Sequence, residues 1–222
     1  MRVYMGATDI DHPEQLDAYL TGDLSDAEKD AAPKDRRSVF MDIYARMARD
    51  YMAASGATQR DFAAVSAKNS RHGALNPLAQ FREELTMEQV LAARTIAFPL
   101  TLPMCSPIGD GAAAAVIVSP RAAAELGLRA PVHVRSSVLN SGFDPAPGRA
   151  SVTTETADRA FALASITPDD IDCLELHDAT APAELIYYEA LGLCPPGGGP
   201  DLLRSGATTL DRKSTRLNSS HT

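Results

Sequence analysis

The sequence predicts an α/β layered fold, with strands buried between amphipathic helices. Two observations carry this. Runs of strand length, at 112–118, 131–139 and 173–176, are separated by segments whose apolar residues recur at helical spacing. One block, 171–192, reads as strand, polar dipeptide and helix in succession. Cys173 to Leu176 is a short apolar run that suits a buried strand, and His177 and Asp178 sit where it must stop. Pro182 lacks an N–H and pre-sets a helical φ, so it suits the first turn of a helix. Leu185, Ile186, Tyr188, Ala190 and Leu191 supply that helix's apolar face, and Gly192 is a ready terminator. In open α/β folds, ligands gather at the carboxyl ends of strands, beside helix N-termini. His177 stands at such a corner, where it either reaches a ligand or caps the turn. Position alone leaves both readings open.

Taken in order, residues 1–36 are polar, acidic and irregular, and read as a long excursion loop with short helical turns. From Ser38 the pattern changes: Phe40, Ile43, Tyr44, Met47 and Tyr51 fall on one helical face, which Gly56 ends. Thr58 with Asp61 forms a variant capping box for a second helix carrying Phe62 and Val65. Residues 69–77 read as a polar loop, with Pro77 pushing Asn76 into an extended conformation. Thr86 with Gln89 is a capping box for a short helix through Ala93. Pro99, Pro103 and Pro107 then argue against a central strand across 96–108, which reads as an extended apolar wall ending in a turn at Gly109-Asp110-Gly111. The uncharged run 112–118 suits a buried strand. Ser119 caps the next helix, Pro120 opens it and Gly127 ends it. A partly alternating strand at 131–139, an alanine-rich helix at 153–165 and a capped turn at Thr167-Pro168 lead into the 171–192 block. The run from Pro195 to Pro200 is a hard break.

Composition narrows the function classes. A chain of 222 residues, 45% of them hydrophobic, suffices for one large domain or two small ones. With no Trp and only 5% aromatic residues, its core rests on aliphatic side chains and alanine. A formal charge of −8 argues against nucleic acid as a partner, because phosphate binding needs a basic surface. No apolar run approaches the roughly 20 residues that span a bilayer, and no signal peptide opens the chain. Cys105, Cys173 and Cys194 are odd in number and far apart, so neither a disulfide framework nor a metal site is expected, and a reduced cytoplasmic setting is. No GxGxxG or Walker pattern stands at a strand–helix junction. Residues 211–221 look like the translation of a sequencing adapter, so 211–222 is expected to be an artefactual, disordered tail.

Three blocks carry a family resemblance: His72-Gly-Ala-Leu-Asn76-Pro77-Leu-Ala-Gln-Phe81, then Met104-Cys-Ser-Pro-Ile-Gly-Asp110-Gly111 with the alanines that follow, then Leu176-His177-Asp178-Ala-Thr-Ala-Pro-Ala-Glu184 through Tyr188-Glu-Ala-Leu-Gly-Leu193-Cys194. They resemble the thiolase family, and within it the sterol-carrier-protein-2 type, also called lipid-transfer proteins or acetyl-CoA acetyltransferases. The resemblance implies a partial thiolase-like layered α/β/α/β/α sandwich with a loop-domain insertion. Residues 1–118 would then be the end of the N-terminal half with its inserted loop domain, and 119–210 the start of the C-terminal half. It implies an acyl-CoA acyltransferase that cleaves a 3-oxoacyl-CoA by thiolysis or runs the Claisen reverse. Coenzyme A is then a substrate and no cofactor is permanently bound.

The resemblance also assigns residues. His177 matches the position that stabilises negative charge on the thioester oxygen, and is the expected catalytic residue. Asp178, His72 and Asn76 are expected at the substrate. Thr180 departs from the Phe usual in the motif, which bears on the packing behind His177. The family's nucleophilic Cys would lie upstream, and neither its Gly-His-Pro motif nor its second Cys follows Leu210, so a truncated, inactive chain is expected. A homodimer is implied for the full-length form. Two alternatives stay open: a retro-aldol lyase on the same fold, working with an OB-fold partner domain, and a non-catalytic acyl-CoA or lipid-binding module.

Overall fold

The predicted capping signals become helix starts in the computed structural model, which describes residues 13–31, 38–142 and 150–210. The expectations for 1–12 and for the 211–222 tail lie outside those residues. Within 13–31 the excursion carries helices α1 (Pro13–Thr21) and α2 (Asp26–Asp30). Two long helices follow, α3 (Val39–Ser55) and α4 (Gln59–Leu75). Gly56 adopts φ 72°, the left-handed conformation that closes α3 without a Cβ penalty. Thr58 and Asp61 form the capping box of α4, and Thr86 and Gln89 that of α5 (Met87–Ala92). The proline-rich wall is a small antiparallel hairpin, β1 (Thr95–Ala97) with β2 (Leu100–Thr101), followed by a 3-10 turn at Leu102–Met104.

The chain divides into two compact units. The first takes in the described parts of Met1–Ser106, Asp172–Glu189 and Cys194–Thr222. It includes most of α8 (Ala181–Ala190) and all of α9 (Gly199–Arg204). Its core gathers Ala45, Ala48, Phe62, Val65, Val90, Leu100, Met104, Leu185, Tyr188 and Leu203. Arg49 of α3 ties this unit together. Its guanidinium donates to both Asp23 oxygens at 2.7 and 2.9 Å, to the Leu20 carbonyl, and to the Phe98 carbonyl at 2.8 Å. Arg204 of α9 makes a bidentate pair with the buried Asp61 of α4, both bonds 2.8 Å.

The second unit is Pro107–Ile171 with Ala190–Leu193. It holds α6 (Pro120–Glu125), capped by Ser119, α7 (Val152–Ala164), and a 3-10 turn at Pro168–Asp170. Among its described residues the buried apolar ones are alanines, Ala123, Ala157 and Ala164. Arg135 donates to the Ala164 carbonyl and Asn140 to Thr156, both at 2.9 Å, so side chains hold the 131–140 segment to α7.

Several expectations need correction. The strands predicted at 112–118, 131–139 and 173–176 form no ladder among the described residues, where the one sheet is the β1–β2 hairpin. Val116, Val132 and Leu139 are more than nine-tenths exposed, and Cys173 is exposed rather than buried. Apolar periodicity reports which residues can be buried. It is blind to whether a neighbouring strand is present to take up their backbone hydrogen bonds. The buried face of α3 is also rotated from the predicted one: Asp42, Ala45, Ala48 and Tyr51 are buried, while Phe40 and Met47 are about half exposed. Burial on α3 thus falls on small alanines, Asp42 and Tyr51 rather than on Phe40 and Met47. Finally, 69–75 is no loop; it forms the last two turns of α4.

Candidate active site

The corner expected at 177–180 is built by backbone hydrogen bonds. The Ala183 N–H donates to the Thr180 carbonyl at 2.9 Å, so Thr180 opens the first turn of α8, and Pro182 occupies a position whose N–H has no intrahelical use. From the other side, the Ser106 N–H donates to the Ala179 carbonyl at 3.0 Å and its hydroxyl to the Asp178 carbonyl at 3.3 Å. Cys105 and Thr180 form an antiparallel bridge. Asp178 and Thr180 are buried by this arrangement, and His177, one residue before the clamp, is exposed. A fixed backbone thus carries an accessible imidazole beside the N-terminus of a helix.

His72 and Asn76 lie together on a different element, the C-terminal end of α4. His72 is buried, and its Nε2 accepts from the Leu210 N–H at 3.3 Å. Asn76 caps α4, and its side-chain oxygen accepts from the Leu78 N–H at 2.9 Å, a local turn closure.

What joins these two elements is a cluster that sequence reasoning passed over. Lys68, one turn before His72 on α4, donates its ammonium to Oε1 of Glu184 on α8. The Tyr188 hydroxyl donates to the same oxygen, and Lys68 Nζ also lies 3.2 Å from that hydroxyl. Asn69 Nδ2 donates to Oε2 of Glu184 at 2.8 Å. Glu184 is 0% exposed and Lys68 2%. Burial, together with the Glu184 carboxylate alongside, pushes the Tyr188 phenol well above its usual range, so it stays a neutral donor. A signal was available: Lys68 shares the helical face of Asp61, Val65 and His72, and Glu184 that of Ala181, Leu185 and Tyr188. Opposite charges on two otherwise inward faces call for each other.

Cys105 and Cys194 are poor nucleophiles here. Burial pushes the Cys105 thiol up to about 11, and its Sγ donates weakly to the Thr101 carbonyl at 3.6 Å. Burial, and then Glu189, push Cys194 up to about 11 as well. Cys173 is exposed. Among the described residues no group of three or more His, Cys, Asp and Glu is placed to hold a metal ion, and no helix is long and apolar enough to cross a membrane.

Residues 144–215 match the family described as thiolase C-terminal domain-like. The chain is 43% identical over 176 residues to the benzoylsuccinyl-CoA thiolase subunit BbsB of Thauera aromatica, a match covering 78% of this chain and 46% of that protein. It is 38% identical over 177 residues to an acetyl-CoA acetyltransferase of Methanothermobacter thermautotrophicus, with the same coverages. It is 34% identical to sterol carrier protein 2 of Bos taurus over 77% of this chain and 33% of that one. Among solved structures, the Ltp2-ChsH2(DUF35) aldolase superposes with a TM-score of 0.66 at 25% identity, covering 82% of this chain and 49% of that chain. The chain spans about half the length, or less, of the curated relatives it matches. By sequence and by fold, over a stretch that is part of a thiolase-like α/β architecture, the chain is related to the thiolase family.

Proposed function

We propose that this chain is part of a thiolase-like acyl-CoA acyltransferase acting on 3-oxoacyl-CoA thioesters by thiolysis, or in the Claisen direction. Residues 1–118 belong, in this reading, to the end of the N-terminal half with its loop domain, and 119–210 to the start of the C-terminal half. The supporting observation is the exposed His177 on a backbone clamped between Cys105–Ser106 and the first turn of α8. An imidazole N–H held there donates to the thioester oxygen as negative charge develops on it, an effect worth ~3 kcal/mol in comparable oxyanion sites. Asp178 supports the turn, and His72 and Asn76 line the acyl side. Coenzyme A enters as substrate, the full-length form is a homodimer, and the setting is cytoplasmic.

The covalent step needs a thiolate, and Cys105 and Cys194 are both held protonated by burial. None of Cys105, Cys173 and Cys194 stands in the family's nucleophile motif, so the purified chain is expected to give no thiolysis of acetoacetyl-CoA by itself. Thiolysis that disappears on changing Cys105, Cys173 or Cys194 to Ser would overturn this reading.

A second reading is favoured by the superposition on a protein named as an aldolase and joined to a DUF35 component. It is carbon–carbon cleavage of a 3-hydroxyacyl-CoA by retro-aldol chemistry, with an OB-fold partner domain. Cleavage of such a substrate that persists when all three cysteines are replaced by Ser selects the lyase.

A further inference from the structure

We infer that Lys68, Asn69 and Tyr188, acting through the buried carboxylate of Glu184, are positioning residues that set the orientation of the 177–180 turn and hence of His177. The inference rests on the proposed role of His177, and it begins from an energetic puzzle. Glu184 and Lys68 are essentially excluded from solvent. Taking both charges out of water costs several kcal/mol per ion, and an apolar pair of similar volume is often as stable or more stable. Stability alone gives no reason for a Lys–Glu pair at the meeting of two inward helix faces. Directionality does.

Apolar packing tolerates small slides of one helix over another, whereas each hydrogen bond to a fixed carboxylate tolerates little. Glu184 is gripped on both oxygens. Lys68 and Tyr188 donate to Oε1, and Asn69 donates to Oε2 at 2.8 Å. Lys68 and Asn69 are consecutive on α4, so their donors reach the carboxylate from one short stretch of helix. Tyr188 lies one turn after Glu184 on α8 and ties the carboxylate to its own helix. The axial position and rotation of α8 about its first turn are thereby specified relative to α4.

The first turn of α8 passes that setting back to the candidate site. Ala183 donates to the Thr180 carbonyl, Thr180 bridges to Cys105, and Ser106 holds the Ala179 and Asp178 carbonyls. Between Asp178 and Glu184 the backbone is held from the Cys105–Ser106 side and from the α4 side at once. His177 is the next residue out, the first that is exposed. Its donor direction follows from where that clamped segment points.

The test uses the full chain with the paired substitution Lys68→Met/Glu184→Met, which removes both charges together, and Glu184→Gln, which keeps shape and removes one. The readouts are the His177 ring nitrogen shifts and χ1 couplings, and amide exchange at Ala179, Thr180 and Ala183. None involves acyl-CoA, so failure here is separable from failure of the thiolase reading. Arg204→Met, which removes another ion pair anchored on α4 and keeps the Thr58–Asp61 capping box, is the control. The expected result is that at least one of the first two variants folds, with moved His177 signals and about tenfold faster exchange at those amides, while the control leaves both unchanged. Folded variants in which His177 and the 179–183 amides match the parent would overturn the inference. So would loss of fold by both, which would make the cluster a stability element, and so would equal changes in the control.

Discussion

Lys68→Met alone is the perturbation with the largest expected cost. It removes the ammonium and leaves the Glu184 carboxylate, 0% exposed, with Asn69 and Tyr188 still donating to it. Breaking a buried pair by removing one partner typically costs about 3–5 kcal/mol, because the remaining charge stays buried without its counter-charge. Against a total stability of about 5–15 kcal/mol for a domain, that is a large fraction. With a urea slope of about 2 kcal/mol per molar, the midpoint falls by roughly 2 M. The assay is urea unfolding followed by far-UV circular dichroism, with Lys68→Met, Glu184→Met and the double substitution closing a cycle. The double is expected within about 1 kcal/mol of the parent, since it buries no charge. The single's deficit also carries a pH signature. A buried carboxylate that has lost its Lys68 counter-charge favours its neutral form, so the variant is expected to recover stability on acidification. A Lys68→Met midpoint within about 0.5 M of the parent, at neutral pH, would refute the reasoning that the pair is desolvated and coupled.

Two further perturbations test the packing around the site. A Cβ at Gly199 would lie 2.9 Å from the Leu185 carbonyl and also press on the Tyr51 hydroxyl, so Gly199→Ala is expected to cost about 1–3 kcal/mol in thermal or urea unfolding. Arg49 holds the Asp23 carboxyl below its usual value of 3.8, first through their hydrogen bond. That contribution is present above pH 3.8 and is lost as pH falls through the lowered value, so the stability gap between the parent and Asp23→Asn should narrow below about pH 4 in acid titrations followed by circular dichroism.

Much of the local structure was legible because caps are short-range chemistry. The Thr58–Asp61 and Thr86–Gln89 boxes, the Ser119 cap ahead of Pro120 and the Thr167 cap ahead of Pro168 each satisfy backbone donors within three residues, and each opens a helix or turn where read. Pro182 in the first turn of α8 was legible for the same reason, whereas the hold of Cys105 and Ser106 on the 178–180 turn, 72 positions away, was not. The strands were not. Val116, Val132 and Leu139 have strand-like patterns, but a strand exists only when a neighbour pairs with it, and that is a long-range fact. Nor was the buried face of α3 legible, because Ala45 and Ala48 rank below Phe40 and Met47 in apolar area yet are the ones buried. The Lys68–Glu184 pair spans 116 positions and joins two helices that periodicity treats separately. Its only local trace was a charge on each inward face.

In the proposed function, His177 faces an acyl-CoA thioester at the start of α8. The direct measurement is a titration of the full chain, isotopically labelled at histidine, with acetyl-CoA, following ring nitrogen signals assigned through His177→Ala. With His177 at the thioester, its signals are expected to move in a saturable way as the thioester oxygen accepts its N–H, and His177→Ala is expected to weaken the titration seen at the backbone amides of 178–183. A chain that saturates with acetyl-CoA while His177 stays unmoved, or one that takes up none, would contradict it.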